Sequence, residues 1–327
     1  MLKDILNSAA QEFRSKNVSE PEKSAEFLLR QVLGTSSCHS REGGNLAWDK
    51  AKLLANLDYK LSDGQEKRFR EYIERRKKHE PVWYITGKIE FYGLDLEVNQ
   101  NVLIPRPETE FLVEEVLSVI PAKAGIQKEV NIDSRLRGND KEVRGNDNIK
   151  MLELGTGSGA ISLAIANELK IKKEKVKIFA SDISSEALKV AKRNAKNLGL
   201  EKYIEFRHGD LFRSWPQILG TRKGEKFDIV VANLPYIPYE EMSSLAFDIH
   251  HWEPRVALDG GKDGLEIYER LLRQAKDYLN KNAIMFFEVG IEQGDKLKKL
   301  TKKYLPRAKV EIQKDYGDID RIAIISA

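Results

Sequence analysis

From about residue 149 onward, the chain alternates between short apolar runs and amphipathic segments, and this alternation constrains the fold more than any other feature. Runs rich in β-branched and aromatic residues are typical of strands buried on both faces of a parallel sheet. Strands are predicted at Ile149–Leu154, Val176–Ser181, Tyr203–Arg207, Phe227–Ala232, Ala283–Glu288, Val310–Gln313 and Arg321–Ile325. Helices are predicted at Ala160–Leu169, Ser185–Leu198, Leu265–Leu279 and Glu292–Tyr304. The pattern predicts an α/β protein with a doubly wound parallel sheet.

The last two predicted strands, Val310–Gln313 and Arg321–Ile325, differ from the others in their connection. Only Lys314–Asp320 separates them, which is too short for the helical crossover that joins parallel neighbours. An antiparallel hairpin at one edge of the sheet is therefore predicted.

The first 80 residues show helical rather than strand periodicity. Apolar residues recur at helical spacing within Leu2–Phe13 and again within Ala25–Leu33. A third, highly charged helix is predicted over Ser62–Lys78. We assign residues 1–80 to a small N-terminal helical domain, for which the pattern alone favours a plain packing role.

Between these helices and the sheet, Pro81–Val98 carries alternating aromatic and β-branched residues around two glycines, which predicts a β-hairpin. We assign this hairpin to a linker over residues 81–104. Residues 105–327 are left for the sheet domain.

Two segments do not fit this plan and are interpreted as surface insertions. Residues 36–45 are polar, glycine-rich and aperiodic, and residues 121–148 contain the same four residue types twice, at Arg137–Asp140 and Arg144–Asp147. Long aperiodic loops are uncommon inside compact domains. A basic nucleic-acid-binding arm is the alternative for Lys123–Lys150, but acidic residues dilute its charge.

Composition narrows the class of protein. The chain has 327 residues, of which 41% are hydrophobic and 32% charged, with a net charge of +4, so a soluble globular protein is predicted. The single cysteine, Cys38, excludes an internal disulfide, and the histidines, including His250 and His251, lack partners at ligand spacing, so no metal is expected. Met1–Phe13 has no signal-peptide core, and no apolar run reaches the length of a membrane span. We expect a cytoplasmic location.

A glycine-rich turn follows the first predicted strand of the sheet and contains Gly155, Thr156, Gly157, Ser158 and Gly159. Glycine lets the backbone approach a ligand closely, and the amides at a helix N-terminus favour polar or anionic groups. With Ala160 the turn also satisfies the dinucleotide pattern G-x-G-x-x-G/A. By itself it therefore does not distinguish between nucleotide cofactors.

Aspartates end the next two predicted strands. Asp182 is placed to accept hydrogen bonds from both hydroxyls of a ribose, in a dinucleotide or in S-adenosylmethionine, and it can also cap the following helix. Asp210 is placed to accept from an adenine amino group while Leu211 or Phe212 covers the ring. A plain turn aspartate at 210 is equally compatible with the pattern.

The segment Asn233-Leu234-Pro235-Tyr236 directly follows the buried run Phe227–Ala232, at the sheet edge where ligands bind. It suits methyl transfer to a planar nitrogen, which is a poor nucleophile because its lone pair is delocalised. Asn233 Oδ1 and the Leu234 carbonyl would accept its two N–H hydrogens, and Tyr236 offers a flat face for stacking. Such alignment recovers about 7–11 kcal/mol of barrier in well-oriented reactions. Asparagine fits because no proton is removed beforehand; the alternative is that Asn-x-Pro merely ends a strand.

The glycine-rich turn, Asp182 and Asn233–Tyr236 together resemble the class I S-adenosylmethionine-dependent methyltransferases, and the terminal hairpin fits their Rossmann-like seven-stranded sheet. More narrowly, the chain resembles the release-factor glutamine methyltransferases, also called the HemK or PrmC family. The stretches that carry this resemblance are Glu80–Gly87, Glu90–Gly93, Val102–Glu110 and Glu253–Leu258. The resemblance covers nearly the whole chain apart from the two insertions.

The resemblance implies an enzyme that uses S-adenosylmethionine to methylate the side-chain amide of the glutamine in the Gly-Gly-Gln motif of class 1 peptide chain release factors. The cofactor-binding residues are then Gly155, Thr156, Gly157, Ser158, Gly159, Asp182, Asp210, Leu211 and Asn233. The catalytic and substrate-binding residues are Asn233, Leu234, Pro235 and Tyr236. The helical domain would help to dock the release factor, and a monomer without a membrane or stable nucleic-acid partner is expected.

The chain departs from the family motif Asn-Pro-Pro-Tyr at Leu234. The proposed acceptor there is a backbone carbonyl, so its chemistry survives, and Pro235 still favours an extended conformation at Leu234. The fixed φ of a proline is lost, and we expect activity that is retained but reduced.

Three alternatives remain open at this point. A methyltransferase acting on adenine or guanine in nucleic acid can use the same four-residue segment, but base flipping needs a basic binding face that the weak net charge does not indicate. A nicotinamide-dependent oxidoreductase is disfavoured by the terminal hairpin. The third alternative is a non-catalytic relic that binds the cofactor only.

Overall fold

The computed structural model describes residues 1–34, 48, 50–123, 149–172, 176–215, 226–315 and 317–327. These residues form two compact units. The first comprises Met1–Lys88 with Leu245–Trp252, and the second comprises Ile89–Ser244 with Glu253–Ala327. The insertion predicted at 36–45, and residues 124–148 of the other predicted insertion, lie outside the described residues.

The first unit is helical, as the periodicity of its sequence predicts. Its helices are α1 (Leu2–Ser15), α2 (Pro21–Gly34), α3 (Lys50–Ala55), α4 (Asp63–Arg76), α5 (Val82–Thr86) and α9 (Phe247–Trp252). Phe13, Leu28 and Phe69, from three of these helices, are each almost fully buried in one apolar core. At the start of α4, Ser62 and Gln65 form a reciprocal capping box, which satisfies backbone groups that the helix leaves unpaired.

The hairpin predicted over Pro81–Val98 is only partly correct. Its first third is the helix α5, because the Pro81 carbonyl accepts from the amides of Tyr84 and Ile85, and Gly87 ends this turn with a positive φ of 74°. A helix of five residues is too short to show periodicity, so its aromatic and β-branched residues were misinterpreted as strand. The hairpin itself is formed by β1 (Lys88–Phe91) and β2 (Leu94–Glu97).

The second unit contains a seven-stranded sheet, which confirms the predicted α/β class. Its strands are β3 (Ile149–Leu154), β4 (Val176–Asp182), β5 (Ile204–His208), β6 (Phe227–Ala232), β7 (Leu279–Glu288), β8 (Lys309–Lys314) and β9 (Asp320–Ser326). The helices around it are α6 (Glu108–Lys123), α7 (Ala160–Lys172), α8 (Ser185–Asn197), α10 (Glu266–Ala275) and α11 (Gly294–Tyr304).

The strand order is β5-β4-β3-β6-β7-β9-β8, with parallel pairing from β5 to β7. β9 runs antiparallel to both β7 and β8, so the predicted terminal hairpin lies at the sheet edge. The strands that are buried on both faces correspond to the predominantly apolar runs of the sequence. In β6, for example, Asp228 is partly exposed and the other residues are buried. Among the described helices, none combines the length and apolarity that a membrane crossing requires.

Candidate active site

The candidate site lies where the order of the strands reverses. β3 has β4 on one side and β6 on the other, and Leu154 of β3 pairs with Ala232 of β6. The glycine-rich turn after Leu154 and the Asn233–Tyr236 segment after Ala232 therefore begin side by side. Such a switch point, at the carboxyl ends of the strands, is the usual place for a ligand in an open α/β sheet.

A cavity of about 520 Å³ opens at this point, a volume typical of sites for small ligands. Most of the residues predicted from the sequence line it together: Gly155, Thr156, Gly157, Ser158, Asp182, Asp210, Leu211, Asn233, Leu234 and Pro235. Gly159 and Tyr236 are not among its lining residues. Gly159 instead packs against the helices beneath, where an added Cβ would lie 3.0 Å from Leu163.

The glycine-rich turn needs glycine for two different reasons. Gly155 has a φ of 76°, and a Cβ there would lie 2.8 Å from Leu234 Cδ2, so the neighbouring segment packs directly on its backbone. Gly157 has a φ of 55° but faces open space, which leaves its backbone accessible from the cavity. The turn is thus shaped both by its own backbone and by contact with Leu234.

Asp182 organises this turn from the neighbouring strand. Its Oδ2 accepts from the Gly157 amide at 2.8 Å, and its Oδ1 accepts from the Ser184 amide at 2.8 Å. Burial raises the pKa of Asp182, while these two backbone amides act in the opposite direction. Each carboxylate oxygen retains a second lone pair, and such lone pairs can accept ribose hydroxyls.

Glu153 is a site residue that the sequence analysis did not identify. Its Oε2 accepts hydrogen bonds from the Thr156 hydroxyl at 2.6 Å, from the Ser162 amide at 3.2 Å and from the Ser162 hydroxyl. Burial raises the pKa of this carboxyl to about 7. Its place in the strand, two residues before Gly155, was visible in the sequence, but the hydroxyls that face it were not.

After β5, only one of the two apolar residues predicted to cover an adenine ring, Leu211 and Phe212, lies at the cavity. Leu211 lines the cavity with a positive φ of 50°, whereas Phe212 is fully buried and stacks on Tyr278 at 4.6 Å. Phe212 therefore cannot cover a ring in the cavity. Asp210 forms an ion pair with Arg270, which also lines the cavity.

Asn233 is held by two residues that come from distant parts of the sequence. Its Nδ2 donates to Glu288 Oε2 at 2.9 Å and to Thr109 Oγ1 at 3.2 Å. The Thr109 hydroxyl in turn donates to Glu288 Oε2 at 2.7 Å. Glu288 lies at the end of β7 and is almost fully buried, which raises its pKa.

This arrangement fixes the orientation of the Asn233 amide. Because Thr109 uses its only proton on Glu288, its oxygen can only accept, and the Asn233 group that faces it must be the donor nitrogen. The Asn233 oxygen therefore points away from Glu288, and both hydrogen bonds found for this side chain within the described ranges use its nitrogen.

Leu234 and Pro235 continue along the cavity wall. Leu234 is almost fully buried, and its amide donates to the hydroxyl of Tyr268 at 3.1 Å. Pro235 lies close to Gly260, where an added Cβ would approach the Pro235 carbonyl at 2.8 Å. Leu234 is thus held through its backbone amide, and the Pro235 carbonyl packs close to the Gly260 backbone.

Tyr236 lies beside the cavity and is held at both ends. Its hydroxyl donates to Glu288 Oε1 at 3.3 Å, and its carbonyl accepts from Gln293 Nε2 at 2.8 Å. Burial and the neighbouring Glu288 carboxylate raise the pKa of its hydroxyl. The phenol is therefore neutral and remains a hydrogen-bond donor.

Two of the stretches that carry the family resemblance meet in the structure. The Glu253 carboxylate accepts from the Ile104 amide at 3.2 Å and forms an ion pair with Arg106. Glu253 is almost fully buried, and Arg106 lines the cavity. Residues that the sequence shows only as separate motifs thus form one wall of the site.

The cavity fits S-adenosylmethionine in its chemistry. Exposed backbone at Gly157 suits a polar tail, the Asp182 carboxylate suits a ribose and the apolar Leu211 suits an adenine ring. Within the described ranges, no group of three or more His, Cys, Asp or Glu side chains is placed to hold a metal ion.

Comparison with known families identifies two matching models. Residues 145–303 match a family described as a methyltransferase domain. Residues 45–87 match the PrmC N-terminal domain.

Curated relatives match most of the chain. The release factor glutamine methyltransferase of Bacillus cereus is 37% identical over 274 residues, which cover 84% of this chain and 86% of that protein. The enzyme of the same name from Clostridium acetobutylicum is 35% identical over 84% of this chain and 85% of that protein. A third, from Bacillus anthracis, is 35% identical over 92% of this chain and 91% of that protein.

Proposed function

Since the chain belongs to the release factor glutamine methyltransferase family and is an S-adenosylmethionine-dependent methyltransferase, we propose that it methylates class 1 peptide chain release factors. The acceptor is the side-chain amide nitrogen of the glutamine in their Gly-Gly-Gln motif. The residues that act on this amide are Asn233, Leu234, Pro235 and Tyr236.

The observation that carries the proposal is the fixed orientation of the Asn233 amide. Glu288 and Thr109 occupy its nitrogen, which leaves its oxygen as the group that would accept from an external donor. A primary amide offers two N–H donors, and a single asparagine oxygen can accept one of them. The Leu234 carbonyl, next along the same segment, accepts the other.

The amide nitrogen of the substrate glutamine is a weak nucleophile, so the protein has to position it rather than remove a proton from it. When bound, S-adenosylmethionine supplies a methyl group on a positively charged sulfur. Asn233 Oδ1 and the Leu234 carbonyl hold the glutamine nitrogen so that the lone pair perpendicular to its plane faces this methyl group. As the N–C bond forms and the methyl–sulfur bond breaks, with S-adenosylhomocysteine as the leaving group, the nitrogen would become positive and its N–H groups stronger donors, so both hydrogen bonds to the protein would strengthen in the transition state. One of these hydrogens then leaves as a proton to water.

The cofactor is held by the opposite wall of the cavity. The Gly155–Ser158 backbone approaches it closely, and Asp182 accepts from its ribose hydroxyls. Leu211 covers the adenine, and Asp210, kept in place by Arg270, lies at its edge. These roles follow from the lining of the cavity and from the chemistry of each side chain.

We assign docking of the release factor to the helical N-terminal unit. Its match to the PrmC N-terminal domain supports this role, because that domain accompanies the methyltransferase domain in this chain. We further propose that the enzyme acts as a monomer in the cytoplasm, without a stable nucleic-acid partner.

Methyl transfer from labelled S-adenosylmethionine tests the proposal. The acceptors are a purified class 1 release factor and a variant in which the Gly-Gly-Gln glutamine is replaced by alanine. Label on the unmodified factor alone, and its loss with Asn233→Ala enzyme, is expected. Equal labelling of both factors would overturn the choice of acceptor, and labelling of added RNA or DNA instead would overturn the substrate class.

A further inference from the structure

Strands β6 and β7 separate just before the proposed acceptor segment. Their regular pairing ends with Ala232 opposite Phe287. Beyond that point, a side chain from α10 enters between the two strands. This side chain is Tyr268, which is fully buried.

The Tyr268 hydroxyl replaces the missing strand pairing with two hydrogen bonds. It accepts from the Leu234 amide at 3.1 Å and donates to the Glu288 carbonyl at 2.5 Å. The Ala232 carbonyl, at 3.5 Å, is the more distant of its two acceptors. Because the hydroxyl has one proton and free lone pairs, the shorter contact receives the proton and Leu234 is bonded to a lone pair.

The acceptor segment is therefore tied to a single residue of β7. The Glu288 carboxylate binds Asn233 Nδ2 and the Tyr236 hydroxyl, and the Glu288 carbonyl binds Leu234 through Tyr268. We propose that Tyr268 is a positioning residue for methyl transfer, which fixes the Asn233–Leu234 peptide group and thereby places the Leu234 carbonyl that follows it against the second N–H of the substrate amide. This inference rests on the proposed function.

The need for this residue follows from the presence of leucine at position 234. Leucine carries an amide hydrogen and a free φ, both of which a proline would lack. A buried amide without a hydrogen-bond partner lowers the stability of the folded protein. A segment with a free φ also loses more conformational entropy than a proline segment when it aligns a substrate. Tyr268 satisfies the amide of Leu234 and at the same time anchors the peptide group from which the free φ of Leu234 starts.

The test is a double-mutant cycle between Tyr268→Phe and Leu234→Pro, with kcat and KM measured for the release factor. Tyr268→Phe alone is expected to lower kcat roughly tenfold while KM changes less than about twofold. In the Leu234→Pro background, where the amide hydrogen is absent, the same substitution is expected to change kcat less than about twofold. Equal losses in both backgrounds, or no loss in either, would overturn the proposal.

Tyr278→Phe is the matched control, because it removes a hydroxyl from another tyrosine packed against the same apolar core, away from the acceptor segment. It is expected to leave kcat unchanged, and a tenfold loss here would mean that any hydroxyl loss in this core lowers activity. Affinity for S-adenosylhomocysteine should be the same in Tyr268→Phe as in the unmodified protein, since Tyr268 does not line the cavity.

A measurement on the unmodified protein keeps the inference testable if Tyr268→Phe fails to fold. Hydrogen exchange at the Leu234 amide should be slow, because this amide is buried and bonded, and fast exchange would contradict the contact. This result does not depend on the substrate. If the enzyme fails to methylate any release factor while Leu234 is protected, the proposed function fails and the Tyr268 contact stands.

Discussion

Asn233 Nδ2 lies 2.9 Å from Glu288 Oε2, so the residue that follows β6 is oriented by the residue that ends β7. The two are separated by 55 positions in the chain. Thr109 donates to the same carboxylate oxygen of Glu288 and accepts from Asn233, so the three side chains are bonded to one another. The proposed methyl acceptor site is thus built on a buried carboxylate that does not itself line the cavity.

Replacing Glu288 is expected to lower activity without removing the cofactor. Glu288→Ala deprives Thr109, Asn233 and Tyr236 of a common partner, so kcat should fall by about 100-fold, equivalent to about 2.7 kcal/mol. Glu288→Gln keeps an acceptor oxygen and should lose less than about tenfold. The Kd for S-adenosylhomocysteine should change little in either variant. Full activity of Glu288→Ala in steady-state methylation assays would show that Asn233 needs no support.

The raised pKa of Glu153 predicts that the free energy of unfolding depends on pH. In the folded protein, burial raises the pKa of the Glu153 carboxyl from 4.5 to about 7. Between these two pH values the carboxyl is ionised in the unfolded chain but still neutral in the folded protein, so a rising pH favours the unfolded chain. The stability contributed by the neutral carboxyl is complete below pH 4.5 and is lost as the pH rises through 7. The loss amounts to about 3 kcal/mol over this interval.

Comparison with Glu153→Gln isolates this effect, because glutamine does not titrate. Free energies of unfolding are measured in urea at pH 5 and pH 8, without cofactor, for both proteins. The unmodified protein should lose more stability than the variant across this range. Parallel pH profiles would mean that the buried carboxyl ionises with an ordinary pKa.

Asp182 is expected to control cofactor affinity. Asp182→Ala removes the proposed ribose acceptor and also the partner of the Gly157 amide, so the Kd for S-adenosylhomocysteine should rise roughly 10- to 100-fold. Titration calorimetry measures this change, and Glu201→Ala, an exposed carboxylate, serves as the control. Unchanged binding by Asp182→Ala would place the cofactor elsewhere.

In the first unit, Arg76 and Asp248 are expected to be important for stability. Arg76 is almost fully buried and donates to Asp248 Oδ2 at 2.7 Å, so Asp248→Ala leaves a buried charge uncompensated. The cost should be about 3 kcal/mol, seen as a lower urea midpoint. Glu66→Ala breaks a solvent-exposed pair with Arg70 and should change stability by less than about 1 kcal/mol. Equal effects of the two substitutions would contradict the difference in burial.

Much of the sheet domain could be predicted because its central strands, such as β3 and β6, are buried on both faces. Runs such as Ile149–Leu154 and Phe227–Ala232 are predominantly apolar, and their observed bounds are the predicted ones. The wall of the cavity that we propose to hold the cofactor was also predictable, since glycines and an aspartate at strand ends have local sequence signatures.

The support of the acceptor segment was not predictable, for a physical reason. Thr109, Tyr268 and Glu288 become neighbours of Asn233–Tyr236 only when β6, β7, α6 and α10 have packed. Thr109 lies in the stretch Val102–Glu110 that carries the family resemblance, but that stretch does not indicate a contact with Asn233, and Tyr268 and Glu288 have no local pattern that marks them. Similarly, nothing in the sequence indicates that Leu245–Trp252 belongs to the helical unit, where Asp248 pairs with Arg76.

The central claim is that Asn233 presents a glutamine amide for methylation, and mass spectrometry of the product tests it most directly. A class 1 release factor is incubated with S-adenosylmethionine and the enzyme, and its Gly-Gly-Gln peptide is then fragmented. One methyl group on the glutamine side-chain amide with the unmodified enzyme, and none with Asn233→Ala at unchanged S-adenosylhomocysteine affinity, is the predicted result. A peptide that stays unmodified with cofactor-binding, folded enzyme, or one methylated equally by Asn233→Ala, would contradict the claim.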